Sequence, residues 1–137
     1  MLEVQLVSPE RILYTGQASM VLCRTTGGGD IAFLTGHAPF IGALATWPVE
    51  IVTAEGPRQR FAVHGGFVEV SNDRVTVLSD VAELPEHIEL HRAQRSKEAA
   101  EAVLRSDPDD VEAKAALARA EVRIEVATNA PATAGAH

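Results

Sequence analysis

Apolar and polar residues alternate at the start of the chain: Leu2, Val4 and Leu6 are set against Glu3 and Gln5. That two-residue period predicts a half-buried β-strand. Further short apolar runs follow at residues 18–25, 31–34, 40–46, 49–53, 59–64, 67–70 and 75–78. Turn-forming residues separate them: Ser8-Pro9-Glu10, Gly27-Gly28-Gly29-Asp30, Thr35-Gly36-His37-Ala38-Pro39, Trp47-Pro48, Glu55-Gly56-Pro57, Gly65-Gly66 and Ser71-Asn72-Asp73. Strands this closely spaced leave no room for crossover helices. They predict an antiparallel sheet folded into a small β-sandwich or barrel over residues 1–84.

The period changes after Pro85. Residues 86–105 and 109–127 lack Gly and Pro and are rich in Ala, Glu, Arg and Leu, which predicts two helices. Between them, Asp107 suits an N-cap, Pro108 the first helical position, and Asp109 and Asp110 the positive end of the helix dipole. So short a connection predicts an antiparallel hairpin over residues 85–128. Asn129-Ala130-Pro131 ends the second helix, leaving residues 129–137 as a frayed tail. The predicted fold class is therefore β plus α, a sandwich followed by a two-helix hairpin.

The second helix carries two opposed apolar stripes. Val111, Ala115, Ala118, Val122 and Val126 form one; Ala113, Leu117, Ala120, Ile124 and Ala127 form the other. Opposed stripes imply contact on both sides, unless the alanines mark nothing. The first helix has a polar face of Gln94, Glu98, Glu101 and Arg105. Glu89 and Arg92 fall among its apolar positions. They form an i, i+3 pair, or Arg92 converges with Arg119 and Arg123 on an anion, whose oxygens suit forked guanidinium donors.

Composition sharpens the seam at Leu84-Pro85. All the aromatics (Tyr14, Phe33, Phe40, Trp47, Phe61, Phe67) lie before it, and fourteen alanines lie after it against eight before. The net charge is −7, with an acidic excess in both parts. That speaks against nucleic acid and anionic lipid as partners, because both require a positive surface. No apolar run approaches the roughly 20 residues that span a bilayer, so no direct membrane insertion is expected. The N-terminus lacks signal-peptide character, and a cytosolic compartment is expected. The lone Cys23 forms no internal disulfide and reads as a buried small hydrophobe.

No catalytic constellation emerges. His87 and His91 have the i, i+4 spacing of helical metal ligands but no third ligand, so no metal site is expected. Gly27-Gly28-Gly29-Asp30 lacks the Gly-Lys-Ser/Thr of a phosphate loop. Gly65-Gly66 reads as a bulge or tight bend.

Four motifs, in order, carry a resemblance: Val7-Ser8-Pro9-Glu10 with Gly16; Gly36-His37-Ala38-Pro39; Gly65-Gly66-Phe67-Val68-Glu69-Val70; and Val75-Thr76-Val77-Leu78-Ser79-Asp80. The chain resembles the epsilon subunits of bacterial rotary ATP synthases over residues 2 to about 126. The resemblance implies a sandwich of about ten strands and a helical hairpin. It implies a non-catalytic subunit of the central rotor stalk, with the sandwich binding the gamma subunit and the ring of c subunits. In that role it couples proton-driven ring rotation to ATP synthesis in the catalytic head. Asp30, Gly36 and His37 match the ring-facing region; Thr35 and Ala32 depart from a common proline and glycine there. The location implied is peripheral, on the cytoplasmic face of the bacterial plasma membrane.

The resemblance also implies a regulatory hairpin. Extended into the catalytic head it contacts the alpha and beta subunits and blocks ATP hydrolysis; folded on the sandwich it releases the block. In some members ATP binds the folded hairpin as a regulatory ligand, through a signature Ile/Leu-Asp-x-x-Arg-Ala. Here that signature reads Ile88-Glu89-Leu90-His91-Arg92-Ala93, with Glu89 in place of Asp. Arg119 and Arg123 match two further arginines if about three residues are absent before them; a third has Ala99 in its place. The alternative reading is a free-standing sandwich that binds a small ligand under a helical lid, which calls for a single apolar hairpin face.

Overall fold

The computed structural model describes residues 1–53 and 56–128. Among the described residues, ten strands and two helices follow one another. They are β1 Leu2–Ser8, β2 Arg11–Ala18, β3 Met20–Thr25, β4 Gly29–Leu34, β5 Phe40–Ala43, β6 Thr46–Val52, β7 Gln59–His64, β8 Gly66–Ser71, β9 Arg74–Ser79, β10 Ala82–Glu83, α1 Leu90–Ser106 and α2 Val111–Thr128. A short 3₁₀ turn, Pro85–His87, joins strands to helices. The predicted tail and Glu55 of the predicted turn lie outside the described residues.

Two five-stranded sheets pack face to face, in the orders β2-β1-β9-β8-β5 and β10-β7-β6-β3-β4. The second sheet is antiparallel throughout. The first departs from the antiparallel expectation at one place, where β1 runs parallel to β9, Val4 opposite Val75 and Leu6 opposite Val77. Pairing the first strand with β9 places the alternating apolar set of β1 in the core. Leu2, Val4 and Leu6 meet Val75 and Val77 of β9, Val68 and Val70 of β8, and Phe33, Ile51, Phe61 and Val63 of the facing sheet.

Cys23 lies in this core, 2% exposed. Burial, and secondarily Asp30, push its thiol up to about 12. It is protonated at neutral pH, a small hydrophobe and not a nucleophile.

Three local readings are corrected. β2 had no alternating pattern to announce it: it is an edge strand, and most of its residues are exposed. Trp47-Pro48 is not a turn but lies inside β6. The pairing of β6 with β3 covers Glu50 to Val52, whereas Pro48 pairs only with Ala62 of β7. Its missing N–H therefore breaks no ladder bond on the β3 side. The second helix is capped by Asp110 and not Asp107: Asp110 Oδ1 accepts the Ala113 N–H at 2.9 Å. Asp107 and Pro108 instead belong to a turn closed by the Asp110 N–H on Asp107 O at 3.1 Å.

The chain crosses between sheets at Gly65-Gly66. Gly66 has φ +121, and a Cβ there would strike Leu78 O and lie 2.7 Å from Ser79 Cα. No side chain fits where β8 starts against β9.

Candidate functional site at the joint of hairpin and sandwich

β7 shows why the hairpin sits where it does. Phe61 and Val63 face the core, while Arg60, Ala62 and His64 face outward, yet all five are buried. The outward set is covered by α2, which packs on β6 and β7. Ala62 forms a small apolar cluster with Val122 and Val126 of α2, joined by Ile88. On the opposite stripe of α2, Ala113 and Ala120 are buried, as are Ala93 and Ala100 of α1, the helix with which α2 pairs. Both stripes are therefore covered within the chain over part of their length, one by the sandwich at Val122 and Val126 and one by α1 at Ala113 and Ala120, while Val111 at the helix start is 79% exposed. The single apolar face required of a lid is not what is found. α1 begins at Leu90, later than residue 86, and its exposed Ala99 and Val103 turn away from the contact.

Ion pairs flank the apolar cluster. Arg60, 8% exposed, has its Nη2 3.1 Å from Glu50 Oε2 and its Nη1 3.7 Å from Glu125 Oε2 of α2. Glu83, the last residue of β10, binds two partners through one oxygen. His64 Nε2 and Arg123 Nε each lie 2.8 Å from Glu83 Oε1. Burial pushes the Glu83 carboxyl up, but the hydrogen bonds and charges of His64 and Arg123 outweigh it and hold the group below its ordinary value. His64 Nδ1 and Arg60 Nε are buried without a hydrogen-bond partner among the described residues.

Beside this joint lies a cleft of about 370 Å³, lined by Glu83, His87, Ile88, Glu89, Arg92, Ala93, Ser96 and Arg123. Five of the six residues singled out for nucleotide binding thus share one cleft. The exception is Arg119, whose Nη2 bonds Glu112 Oε1 of its own helix at 3.1 Å. Glu89 and Arg92 form no ion pair among the described residues; Glu89 has extended backbone and precedes the first turn of α1. Sequence reasoning missed Glu83, His87 and Ser96. Glu83 sits in a two-residue strand with no pattern of its own, and its one signal was the need of Arg123 for a partner. His87 belongs to the 3₁₀ turn, where its Nδ1 accepts from Arg11 Nη2 at 3.1 Å, so His87 and His91 do not share a helix.

Asp30, Gly36 and His37 lie elsewhere and are not brought together. Asp30 is the second residue of β4, bonded to Arg24 Nε at 2.9 Å, and the Arg24 guanidinium stacks 3.5 Å above Trp47. Gly36 and His37 follow the other end of β4, separated from Asp30 by most of that strand. Gly36, at φ +88, is the third residue of a turn closed by the His37 N–H on Leu34 O. Its own N–H donates to Asp73 Oδ1 at 2.7 Å. The His37 ring stands edge-on to Phe33, 4.9 Å between centroids.

A family model described as the ATP synthase delta/epsilon chain β-sandwich domain matches residues 1–85. The ATP synthase epsilon chain of Streptomyces griseus is 42% identical over 123 residues, 90% of this chain and 92% of that one. The chain belongs to the ATP synthase delta/epsilon family. Two solved structures share the fold of this epsilon-family chain. One is a chain of the Euglena gracilis mitochondrial ATP synthase (TM-score 0.69, 22% identity, 99% of this chain and 81% of that one). The other is from the central stalk and c ring of the Tetrahymena thermophila mitochondrial ATP synthase (TM-score 0.57, 14% identity, 93% and 94%).

Proposed function

We propose that this chain is a non-catalytic rotor subunit in the central stalk of a bacterial ATP synthase. Held between the gamma subunit and the c ring, it couples proton-driven rotation to ATP synthesis, and it lies peripherally on the cytoplasmic face of the plasma membrane. The observation that carries this beyond family membership is an apolar row on the outer face of the first sheet. Ile12, Val7, Leu78, Phe67 and Ala43 are register partners across β2, β1, β9, β8 and β5. Ile12, Phe67 and Leu78 are each more than half exposed. An uncovered apolar row spanning a sheet marks a surface that a partner covers, and gamma is the partner assigned to it. Tagged chain recovered from solubilised membranes brings down gamma and c subunits, and Phe67→Glu with Leu78→Glu abolishes this. Recovery of the wild-type chain without any ATP synthase subunit overturns the reading.

The c-ring contact is assigned to Asp30, Gly36 and His37. With Asp30 at one end of β4 and Gly36-His37 beyond the other, that contact runs along the edge of the second sheet.

The hairpin is proposed to regulate ATP hydrolysis. Docked on the sandwich it is inactive; released, it reaches the alpha and beta subunits in the catalytic head. The small apolar docking cluster and flanking ion pairs support a reversible attachment. ATP is proposed as a regulatory ligand of the cleft, with Arg92 and Arg123 toward the phosphates and Ile88, Glu89 and Ala93 on the nucleoside side; Arg119 must leave Glu112 to take part. The cleft volume falls within the roughly 300–1,000 Å³ of small-ligand sites. Titration of the chain with ATP gives saturable binding that Arg92→Ala weakens; no saturation up to millimolar ATP rejects the site.

A further inference from the structure

The cleft that gathers Arg92 and Arg123 is not an open cationic site. Glu83 lines the same cleft and its Oε1 lies 2.8 Å from Arg123 Nε. Glu89 adds a second carboxylate to the walls, so the fixed charges of the two arginines are matched. His64 holds the same Glu83 oxygen, at 2.8 Å through Nε2. One carboxylate oxygen is thus held by two partners, and 25% of the side chain faces solvent. Such a group repels an arriving anion and already occupies one edge of the guanidinium that the anion needs.

We propose that Glu83 is an internal competitor for phosphate at this cleft. In the empty, docked state its carboxylate stands in for the ligand's phosphate on Arg123. A polyphosphate-bearing ligand binds by taking Arg123 from Glu83, which stays on His64. The exchange gives one residue two linked effects. Glu83 fastens α2 to the last sandwich strand, and it also sets how much ligand is required to bridge Arg92 of α1 and Arg123 of α2. Ligand affinity and hairpin attachment are then set against each other at one oxygen atom. The inference rests on the nucleotide reading of the cleft but concerns only its phosphate end.

The test compares the full chain with its Glu83→Gln variant, titrated at fixed ionic strength with inorganic tripolyphosphate and with ATP. Tripolyphosphate has no nucleoside, so a carboxylate can only oppose it. The expected result is about tenfold tighter tripolyphosphate binding by the variant. The gain is lost in the double variant Glu83→Gln, Arg123→Gln, and Glu89→Gln gives a much smaller one. In the wild-type chain, which carries no folding risk, saturation with tripolyphosphate shifts the Arg123 Nε–H resonance. Equal or weaker tripolyphosphate binding by Glu83→Gln overturns the proposal while leaving ATP binding by the wild type intact. So does a gain confined to ATP, an equal gain from Glu89→Gln, or an unshifted Arg123 resonance. Failure of both ligands to bind either protein overturns this proposal and the nucleotide reading together.

Discussion

Arg123 of α2 and Glu83 of β10 are joined Nε to Oε1 at 2.8 Å, an ion pair that ties the hairpin to the final strand of the sandwich. Neither partner is deeply buried, at 30% and 25% exposed, so screening limits the pair. The hydrogen bond is charge-assisted, and Glu83 is preset by His64. Together these place its contribution at about 1 kcal/mol, the upper end of exposed pairs. Arg123→Ala should therefore lower the docked-to-free ratio of the hairpin about fivefold without unfolding the sandwich. Trp47, the one tryptophan in the sequence, lines a cleft with Ala118, Glu121 and Val122 of α2, so its fluorescence reports docking. Hydrogen exchange along α2 gives a second readout. An unchanged Trp47 signal and unchanged α2 protection would show that the pair does not hold the hairpin.

Ala62 tests the apolar half of the same attachment. It is fully buried, yet it faces α2 and not the sandwich core. A larger residue there has to displace Val122 and Val126. Ala62→Leu should overpack the joint by about 1–3 kcal/mol. The cost falls on the hairpin contact, because the inward neighbours Phe61 and Val63 are untouched. The expected outcome is accelerated exchange in α2 with a nearly unchanged thermal midpoint for the strands. A matching loss in the strands would mean that α2 and the sandwich unfold as one unit.

The strands that alternate in sequence are those with one wet face, such as β1, where Leu2, Val4 and Leu6 point inward. β7 hides its alternation because the hairpin buries its outer face as well, a fact about the tertiary structure and not about residues 59–64. β2 hides as an edge strand with little to bury. The cleft was half legible. Ile88, Glu89, Arg92 and Ala93 are close in sequence and stay close in space. Arg119 and Arg123, one turn apart, separate because Glu112 takes the first and Glu83 the second. Which carboxylate claims which arginine depends on how α2 lies over β7 and β10, and no local pattern encodes it.

Gly66 sets the geometry at which the chain leaves one sheet for the other. Its φ of +121 is reached freely only by glycine, and the space for a Cβ is taken by the β9 backbone. Backbone cannot swing aside as a side chain can, so strain and clash act together. Gly66→Ala should destabilise the sandwich by about 3 kcal/mol or more. The urea midpoint measures it, with Gly42→Ala as a comparison. There the nearest atoms belong to the Phe40 ring, which can move, so the loss should be smaller. Equal losses at the two positions would refute the assignment of the cost to backbone contact.

Acid should detach the hairpin before it unfolds the sandwich. Glu83 desolvation alone would raise its carboxyl, but the bonds and charges of His64 and Arg123 prevail and the group sits below its ordinary 4.5. A carboxyl lowered in the docked state binds its proton more readily once the hairpin is free. Its contribution to docking is therefore complete above pH 4.5 and is lost as the pH falls below that value through the docked-state value. The apolar core cluster described for the sandwich contains no carboxylate, and Glu50, which Arg58 and Arg60 hold on β6, lies outside it. Trp47 fluorescence should thus show a transition below pH 4.5 while the far-ultraviolet signal of the strands persists. Glu83→Gln cannot titrate and should flatten that transition, leaving a weaker attachment. A transition of unchanged position and amplitude in Glu83→Gln would assign the acid response to another group, Glu125 beside Arg60 being the next ion pair across the joint.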